Sequence, residues 1–241
     1  MDTNILYQIA LFQSVALGEY YAATTVGKLK MYGDFGMGIF TAVNGELIML
    51  DGTVYQALAD GSVVVPNDDA TVPYADVTFF HADLCKKSVS FADCSELEQQ
   101  LDAIVDQEGK NRFYYVKVSG CFSKLIVRSE LKQAEPYRML NIALRSDQRA
   151  YSHNDVCGTI VGLYCPPYMA MLNAPGWHFH FISDDGTIGG HMLGAACADC
   201  CVEMAKMDRF ILDIPQRDSF QALDLSTDLS AAIREAEKGG A

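Results

Sequence analysis

Three of the five histidines in this 241-residue chain fall close together, in Trp177-His178-Phe179-His180-Phe181 and at His191. Alternate side chains of an extended strand share one face, so His178 and His180 point the same way. The Asp185-Gly186 pair that follows is a strong signal for a hairpin turn. With that pair as a two-residue turn, His180 lies opposite His191, at a Cβ separation of about 4.5–5.5 Å. The spacing therefore predicts a three-histidine metal site built on one hairpin.

Three neutral imidazoles that leave coordination positions open for water or substrate are typical of catalytic zinc. Imidazole also binds copper, iron and nickel, so the spacing predicts a metal ion but does not identify the element. A single histidine in a strand is usually structural, as we expect for His81 and His153. The register of the other three histidines is what favours a metal site.

A second candidate metal motif is Cys197-Ala198-Asp199-Cys200-Cys201. A structural zinc site of this kind needs a second cysteine pair at suitable spacing, and Cys157 with Cys165 is a poor one. We therefore predict that these cysteines are reduced structural thiols.

The composition limits the classes of partner. Eighteen basic and thirty-one acidic residues give a net charge of −13, which disfavours nucleic acids and anionic membranes. No apolar run reaches transmembrane length, and the amino terminus lacks the basic segment of a signal peptide. Eight cysteines without an export signal favour reduced thiols and a cytoplasmic protein. The expected partner is a small-molecule substrate.

Hydrophobic periodicity indicates a mixed α and β chain. Apolar residues at helical spacing, among them Ile5 and Ile9, predict an amino-terminal helix over 3–15. Asn-Gly and Asp-Gly pairs between residues 39 and 65 predict strands joined by tight turns. A capping box at 95–98 predicts a helix that ends at Gly109. A hairpin is expected across Ser119-Gly120.

The pattern in the second half of the chain predicts mainly strands, with a short helix in the tail at 227–237. The predicted strands are 156–164, 176–183, 189–195, 201–206 and 209–214. The polar stretch 131–155 contains Pro136 and marks the expected boundary between two parts. Residues 1–135 would form a mixed-sheet α/β region, and residues 136–241 a β-rich metal-binding region with a terminal tail.

Several motifs occur in an order typical of one enzyme family. They are Gly33-Asp34-Phe35-Gly36, Gly45-Glu46-Leu47-Ile48, Leu50-Asp51-Gly52, Val77-Thr78-Phe79-Phe80, Gly158-Thr159-Ile160-Val161-Gly162, Gly176-Trp177-His178-Phe179-His180-Phe181 and Gly189-Gly190-His191. Through them the chain resembles α-acetolactate decarboxylase nearly from end to end. The resemblance implies a homodimer of a two-part α+β fold, with a mixed amino-terminal sheet and a smaller β-rich part that carries the histidines.

The resemblance also assigns the site. It implies that His178, His180 and His191 bind Zn²⁺ and that Glu46 and Arg128 line the active site. A glutamate near the carboxyl terminus is implied as well, and its best match is Glu237, with Glu235 as the alternative. Two departures from the family pattern are Ile39, where a threonine is common, and Glu130 or Leu131, where a proline is expected.

The implied reaction converts (S)-2-acetolactate to (R)-acetoin and carbon dioxide, a step in the butanediol route. Zinc would hold the ketone and hydroxyl oxygens of the substrate as an electron sink, and a positioned acid would protonate the enediolate.

Two other functions fit the residues alone. Three histidines also activate water in zinc hydrolases. A non-catalytic metal-binding relative is the other alternative, and Ile39 is its only hint. Without the resemblance, Glu46 would be a solvated strand end, Arg128 a surface residue or salt-bridge partner, and Glu237 an exposed charge on the tail.

Overall fold

Strands predominate over helices in the computed structural model, which describes residues 5–227 together with Leu229 and Ile233. The strands are β1 (Ile5–Ile9), β2 (Thr24–Thr25), β3 (Phe35–Ile39), β4 (Glu46–Leu50), β5 (Thr53–Ala57), β6 (Val63–Val64), β7 (Thr71–Val72), β8 (Tyr74–Thr78), β9 (Leu84–Phe91), β10 (Tyr114–Glu130), β11 (Gln148–His153), β12 (Val156–Cys165), β13 (Gly176–Ser183), β14 (Gly189–Lys206) and β15 (Arg209–Asp213). Glu235 and Glu237 lie outside the described residues, as does most of the predicted tail helix.

The helices are few and mostly short. They are α1 (Phe12–Ala16), α2 (Val26–Leu29), α3 (Cys94–Glu108), α4 (Leu140–Asp147) and α5 (Asp218–Gln221), with single 3₁₀ turns at Thr41–Val43 and Pro167–Met169. In the part of the chain that is described, no helix is both long and apolar enough to cross a membrane.

The described strands form two large sheets and one small one. A seven-stranded sheet has the order β15-β1-β8-β3-β4-β5-β6, a six-stranded sheet has the order β11-β10-β12-β13-β14-β9, and β2 pairs with β7. Because β14 also pairs with β10, the strands β10, β12, β13 and β14 close into a ring. This mixed α+β architecture agrees with the fold class expected from the sequence.

Each large sheet takes strands from both sides of the boundary predicted after residue 135. Strand β15 pairs in parallel with β1, and β10 pairs with β11, β12 and β14. The predicted division into 1–135 and 136–241 therefore does not coincide with the division between the sheets.

The predicted helix at residues 3–15 is wrong over its first half, because Ile5–Ile9 is strand β1. Strand β1 lies between β15 and β8, and Leu6, Gln8 and Ile9 are all buried. Burial on both faces leaves no polar side to give a period of two, so the apolar spacing resembled that of a helix. Only Phe12–Ala16 forms a helix, α1.

The predicted hairpin across Ser119-Gly120 is also wrong, since Tyr114–Glu130 is one continuous strand. Gly120 pairs with Gly158 on one side and with Cys200 on the other, beside an irregularity in the pairing with β14. A Cβ at Gly120 would lie 2.7 Å from the Cys200 sulfur. The glycine therefore marks a close approach of neighbouring strands, which is a common alternative to a turn.

The predicted helix at 95–98 onward is confirmed, although it begins slightly earlier. Helix α3 starts at Cys94 with Asp93 as its cap, whose carboxylate accepts from the Glu96 amide, and it ends at Glu108 with Gly109 as its C-cap. Its apolar face contributes Leu97 and Leu101 to a core shared with the ringed strands.

A second core lies between the two large sheets and sets the distance between them. It joins Met37 and Ile48 of the seven-stranded sheet to Tyr115, Val161 and Ile182 of the six-stranded one. Apolar burial of this kind contributes roughly 1.5–3 kcal/mol for each large side chain. The histidine-bearing face of β13 is thereby held against β4.

Candidate metal centre

Strands β13 and β14 form the hairpin that carries the three histidines. His180 is paired with His191, and Ile182 with Gly189, so the predicted register is confirmed. The turn itself is longer than predicted, since the Ser183 amide donates to the Ile188 carbonyl and the Gly186 amide to the Ser183 carbonyl. Asp185 stabilises this loop by accepting hydrogen bonds from the hydroxyls of Ser183 and Thr187.

The alternation of side chains along β13 is also as predicted. Phe179 and Phe181 point into the core of the ringed strands, where Phe181 packs edge-on against Phe122. His178 and His180 point to the opposite face, toward the seven-stranded sheet, because the His180 ring Nδ1 lies 2.9 Å from the Leu47 carbonyl on β4.

Three histidine nitrogens converge in a buried cluster. The His178 Nε2 atom lies 3.1 Å from both His180 Nε2 and His191 Nδ1. All three residues are buried, and their candidate ligand atoms lie within 4.8 Å of one another. They are the one such group of three potential metal ligands found among the described residues.

The electrostatics of the cluster keep the rings of His178 and His180 neutral. Burial, and then the charge of Arg128, lower the pKa of His178 to about 3. Burial and the neighbouring His178 lower the pKa of His180 well below its usual range, against the opposing effect of the Leu47 carbonyl. Neutral imidazole is the form that binds a metal ion.

These residues fit a divalent metal ion. A proton on His180 Nδ1, donated to the Leu47 carbonyl, leaves the lone pair of His180 Nε2 facing the cluster. Three ring nitrogens held this close can share few protons among themselves, whereas a cation would satisfy all of their lone pairs.

Glu46, the first residue of β4, is buried beside the cluster. Its Oε2 atom lies 3.5 Å from His180 Nε2, and the residue is 4% exposed. Gly45 precedes it with a φ of +91°, a conformation that favours glycine and turns the chain from the loop into β4. Ile39, the residue expected to be a threonine, is the register partner of Glu46 on β3.

Arg128 reaches the same cluster from β10, where it is the register partner of His191. The residue is 3% exposed, and its Nη1 atom donates to the Gln148 Oε1 atom at 3.1 Å. Its Nε atom lies 3.8 Å from Glu130 Oε1. Glu46 and Arg128, expected only through the resemblance, are thus both buried beside the histidines.

A small cavity of about 30 Å³ joins these side chains. Its lining combines polar residues with an apolar wall, namely Phe12, Val15, Gly38, Ile39, Val43, Glu46, Tyr74, Arg128, Glu130, Leu140, Leu144, His178 and His191. A wider cavity of about 590 Å³ reaches His178 and His191 from the side of α3, past Trp177, whose Nε1 donates to Asp102. His178 and His191 therefore line both the small cavity and the wider one.

Sequence reasoning missed several residues of the small cavity. Glu130 had a usable signal, because positions 128 and 130 of a strand share one face. Leu140 and Leu144 of α4 lie in the stretch predicted to be a polar junction, and nothing in their spacing pointed to the site. Phe12, predicted as part of a helix, packs edge-on against the His178 ring with 6.2 Å between ring centroids.

The cysteines differ from the prediction of reduced thiols. Cys121 is bonded to Cys157, and Cys197 to Cys200. Cys121 and Cys157 are register partners on β10 and β12, so strand pairing brings their sulfurs together. Disulfides are rare in a reducing cytoplasm, so the cysteines no longer favour a cytoplasmic location.

Comparison with known proteins gives a consistent family. The family model described as alpha-acetolactate decarboxylase matches residues 6–227. The alpha-acetolactate decarboxylase of Methanosarcina mazei is 35% identical over 98% of this chain and 81% of its own length. That of Raoultella terrigena is 34% identical over 97% of this chain and 90% of its own length.

Solved structures agree in fold. The alpha-acetolactate decarboxylase of Bacillus subtilis strain 168 superposes with a TM-score of 0.92 at 28% identity, covering 98% of this chain and all of the other. A Staphylococcus aureus protein described as similar to alpha-acetolactate decarboxylase gives a TM-score of 0.91 at 29% identity, covering 97% of this chain.

Proposed function

This chain belongs to the alpha-acetolactate decarboxylase family, and from that membership we infer that it converts (S)-2-acetolactate to (R)-acetoin and carbon dioxide. The observation that carries the inference beyond family membership is the buried cluster of His178, His180 and His191. Two of its members, His178 and His191, line one cavity with Glu46 and Arg128. The cluster would hold the metal ion, and the two charged side chains would act on the substrate.

We propose that the metal is Zn²⁺. Three neutral histidine ligands with further positions open are typical of catalytic zinc. When bound, the ion would supply a Lewis acid for the electrons released as carbon dioxide leaves. The Leu47 carbonyl supports the proposal by fixing which nitrogen of His180 faces the cluster.

Arg128 would bind the carboxylate of the substrate. Its guanidinium is buried at the cavity wall and offers several donors in one plane, the geometry that matches a carboxylate. The same group is a poor proton donor, since guanidinium has a pKa above about 12.

Glu46 would deliver the proton that completes acetoin. It is the buried carboxyl group next to His180, and one fixed donor on one side of the cavity would give a single enantiomer. Burial also excludes bulk water, which would otherwise protonate either face. Glu237, which the resemblance assigns to the same site, remains part of the proposal, with Glu235 as its alternative.

The direct test supplies racemic acetolactate to the purified protein and measures acetoin and carbon dioxide. We expect half of the racemic substrate to be converted, with (R)-acetoin as the single enantiomer formed. Activity should be lost on chelation and recovered with Zn²⁺. A zinc hydrolase or a non-catalytic relative would release no acetoin, and that result would refute the proposal.

The resemblance carries an expectation about assembly, and the sequence carries one about location. We propose a homodimer and a cytoplasmic enzyme, and we keep residues 1–135 and 136–241 as its two parts. Light scattering on the purified protein measures the mass of the assembly, and a mass near that of one chain would rule out the dimer. Limited proteolysis near Pro136 tests the boundary.

A further inference from the structure

Glu130 is a buried carboxylate that the proposed roles leave unexplained. It ends strand β10, shares its face with Arg128, and lines the same small cavity as Glu46, His178 and His191. The residue is 3% exposed, and neither of its carboxylate oxygens has a hydrogen-bond partner among the described residues.

A buried carboxylate without hydrogen bonds costs several kcal/mol unless an opposite charge compensates it. Among the described residues, the cation paired with it is Arg128, whose Nε atom lies 3.8 Å from Glu130 Oε1. Tyr20 does not supply a hydrogen bond to Glu130, because its hydroxyl donates to the Arg138 carbonyl. The Glu130 charge does reach Tyr20, where burial first and this carboxylate second raise the tyrosine pKa above its usual range.

The surroundings of Arg128 are divided between two strands. Glu130 is the direct register partner of Gln148 on β11, and the Gln148 amide oxygen accepts from Arg128 Nη1. On the other side, Arg128 is paired with His191 on β14. The guanidinium therefore lies between a row formed by Glu130 and Gln148 and the face that carries the histidines.

We propose that Glu130 is a positioning residue that holds the Arg128 guanidinium at the cavity wall, in the orientation that binds the substrate carboxylate. This inference rests on the proposed function, in which Arg128 binds that carboxylate. A divalent cation at the histidines would repel the guanidinium, and the Glu130 charge on the same face opposes that repulsion. Gln148 alone supplies no such charge.

The direction in which anion affinity changes in Glu130 variants distinguishes a positioning role from a simple effect of charge. Glu130→Gln removes a negative charge from the cavity, which by itself would strengthen the binding of an anion. If Glu130 instead holds Arg128 in place, the same change weakens anion binding. Glu130→Asp keeps the charge and withdraws it by one methylene, so it should weaken binding as well.

The experiment is calorimetric titration of the metal-loaded protein with 2-hydroxy-2-methylpropanoate, a hydroxy acid without the ketone and therefore unreactive. We expect both variants to bind it about tenfold more weakly, the scale of one charge-assisted hydrogen bond. The KM for acetolactate should rise by a similar factor with a smaller change in kcat. Glu135→Gln, which removes an exposed charge from the following loop, is the matched control and should behave as wild type.

Unchanged or tighter binding by Glu130→Gln overturns the proposal, as does wild-type affinity in Glu130→Asp. If the glutamine variant fails to fold, the aspartate variant decides, since it retains the buried ion pair. Failure of the wild-type protein to bind the probe also counts against the role of Glu130. A wild-type protein that binds the probe in a Glu130-dependent way but releases no acetoin would refute the proposed function alone.

Discussion

Arg128 lies directly opposite His191 in the pairing of β10 with β14, although the two residues are far apart in the sequence. The approach depends on Gly190, whose φ is +145° and at which a Cβ would lie 2.5 Å from the Arg128 carbonyl oxygen. One glycine thus allows the strand that carries a candidate metal ligand to pack against the strand that carries the candidate anion-binding residue.

Gly190→Ala should destabilise the protein by about 2 kcal/mol or more, because an alanine there is strained in φ and collides with a backbone atom. Equilibrium unfolding in urea measures the change. Gly194→Ala is the matched control on the same strand, since its Cβ would meet the Ile126 side chain at an ordinary 3.4 Å. Equal stability of the two variants would contradict the close approach.

Removal of one histidine should abolish metal binding. His180→Ala deletes a ligand, and even the loss of an outer hydrogen-bond partner of a ligand costs about 10–100-fold in affinity. We expect metal content after dialysis to fall from one ion per chain to near zero, as measured by mass spectrometry of the metals. His81→Ala, which removes an exposed histidine, should keep full occupancy. Full occupancy in His180→Ala would exclude the histidine site.

Glu46→Gln should reduce turnover of acetolactate by about 10²–10⁴-fold, the usual contribution of a positioned acid. The amide is nearly the same shape as the carboxyl group, so we expect metal content and unfolding to stay close to wild type. Chiral chromatography of the acetoin provides a second measurement, because unguided protonation would give both enantiomers. Full turnover with a single enantiomer would eliminate Glu46 as the donor.

Thiol labelling should separate the eight cysteines into two equal groups. Alkylation of the denatured, unreduced protein should modify Cys85, Cys94, Cys165 and Cys201 and spare the four residues in disulfides. In the folded protein the exposed Cys85 should react first, whereas burial raises the pKa of Cys94 to about 11 and keeps it protonated. Peptide mapping locates the labels, and eight labelled cysteines without reductant would restore the prediction of reduced thiols.

Acid should weaken the turn of the β13–β14 hairpin through Asp185. Hydrogen bonds from the side chain of Ser183, and then from Thr187, hold the pKa of Asp185 below its usual range. A lowered pKa in the folded state gives stability that is present above the unfolded value, about 3.9, and lost as pH falls through the folded value. Asp185→Asn should therefore be less stable than wild type near neutral pH, and the difference should shrink in acid. A difference that stays constant with pH would show that the carboxylate charge has no part in the turn.

The sequence by itself determined the local parts of this site. Strand β13 was predicted over residues 176–183 as it is found, and the pairing of His180 with His191 followed from the position of an Asp-Gly pair. These features depend on neighbours within a few residues, so alternation and turn chemistry are enough to define them. The loop between the two strands is longer than predicted, but the strands pair in the predicted register.

The order of the motifs along the chain indicated the family, and the resemblance to that family made Glu46 and Arg128 candidate site residues. Spacing alone could not have done so, since each is an ordinary charged residue on a predicted strand. Glu130 could have been noticed from its shared face with Arg128, but a shared face does not say whether that face is buried or toward which neighbour it points.

Only the tertiary structure decided which distant elements meet at the histidines. Strand β4 supplies the Leu47 carbonyl and Glu46, β10 supplies Arg128 and Glu130, and α4 closes the cavity with Leu140 and Leu144. The same long-range pairing made Ile5–Ile9 a buried strand and carried β10 straight through Ser119-Gly120. Local periodicity reports which faces of a segment are apolar, whereas contacts between segments far apart in the chain are fixed by the packing of whole sheets.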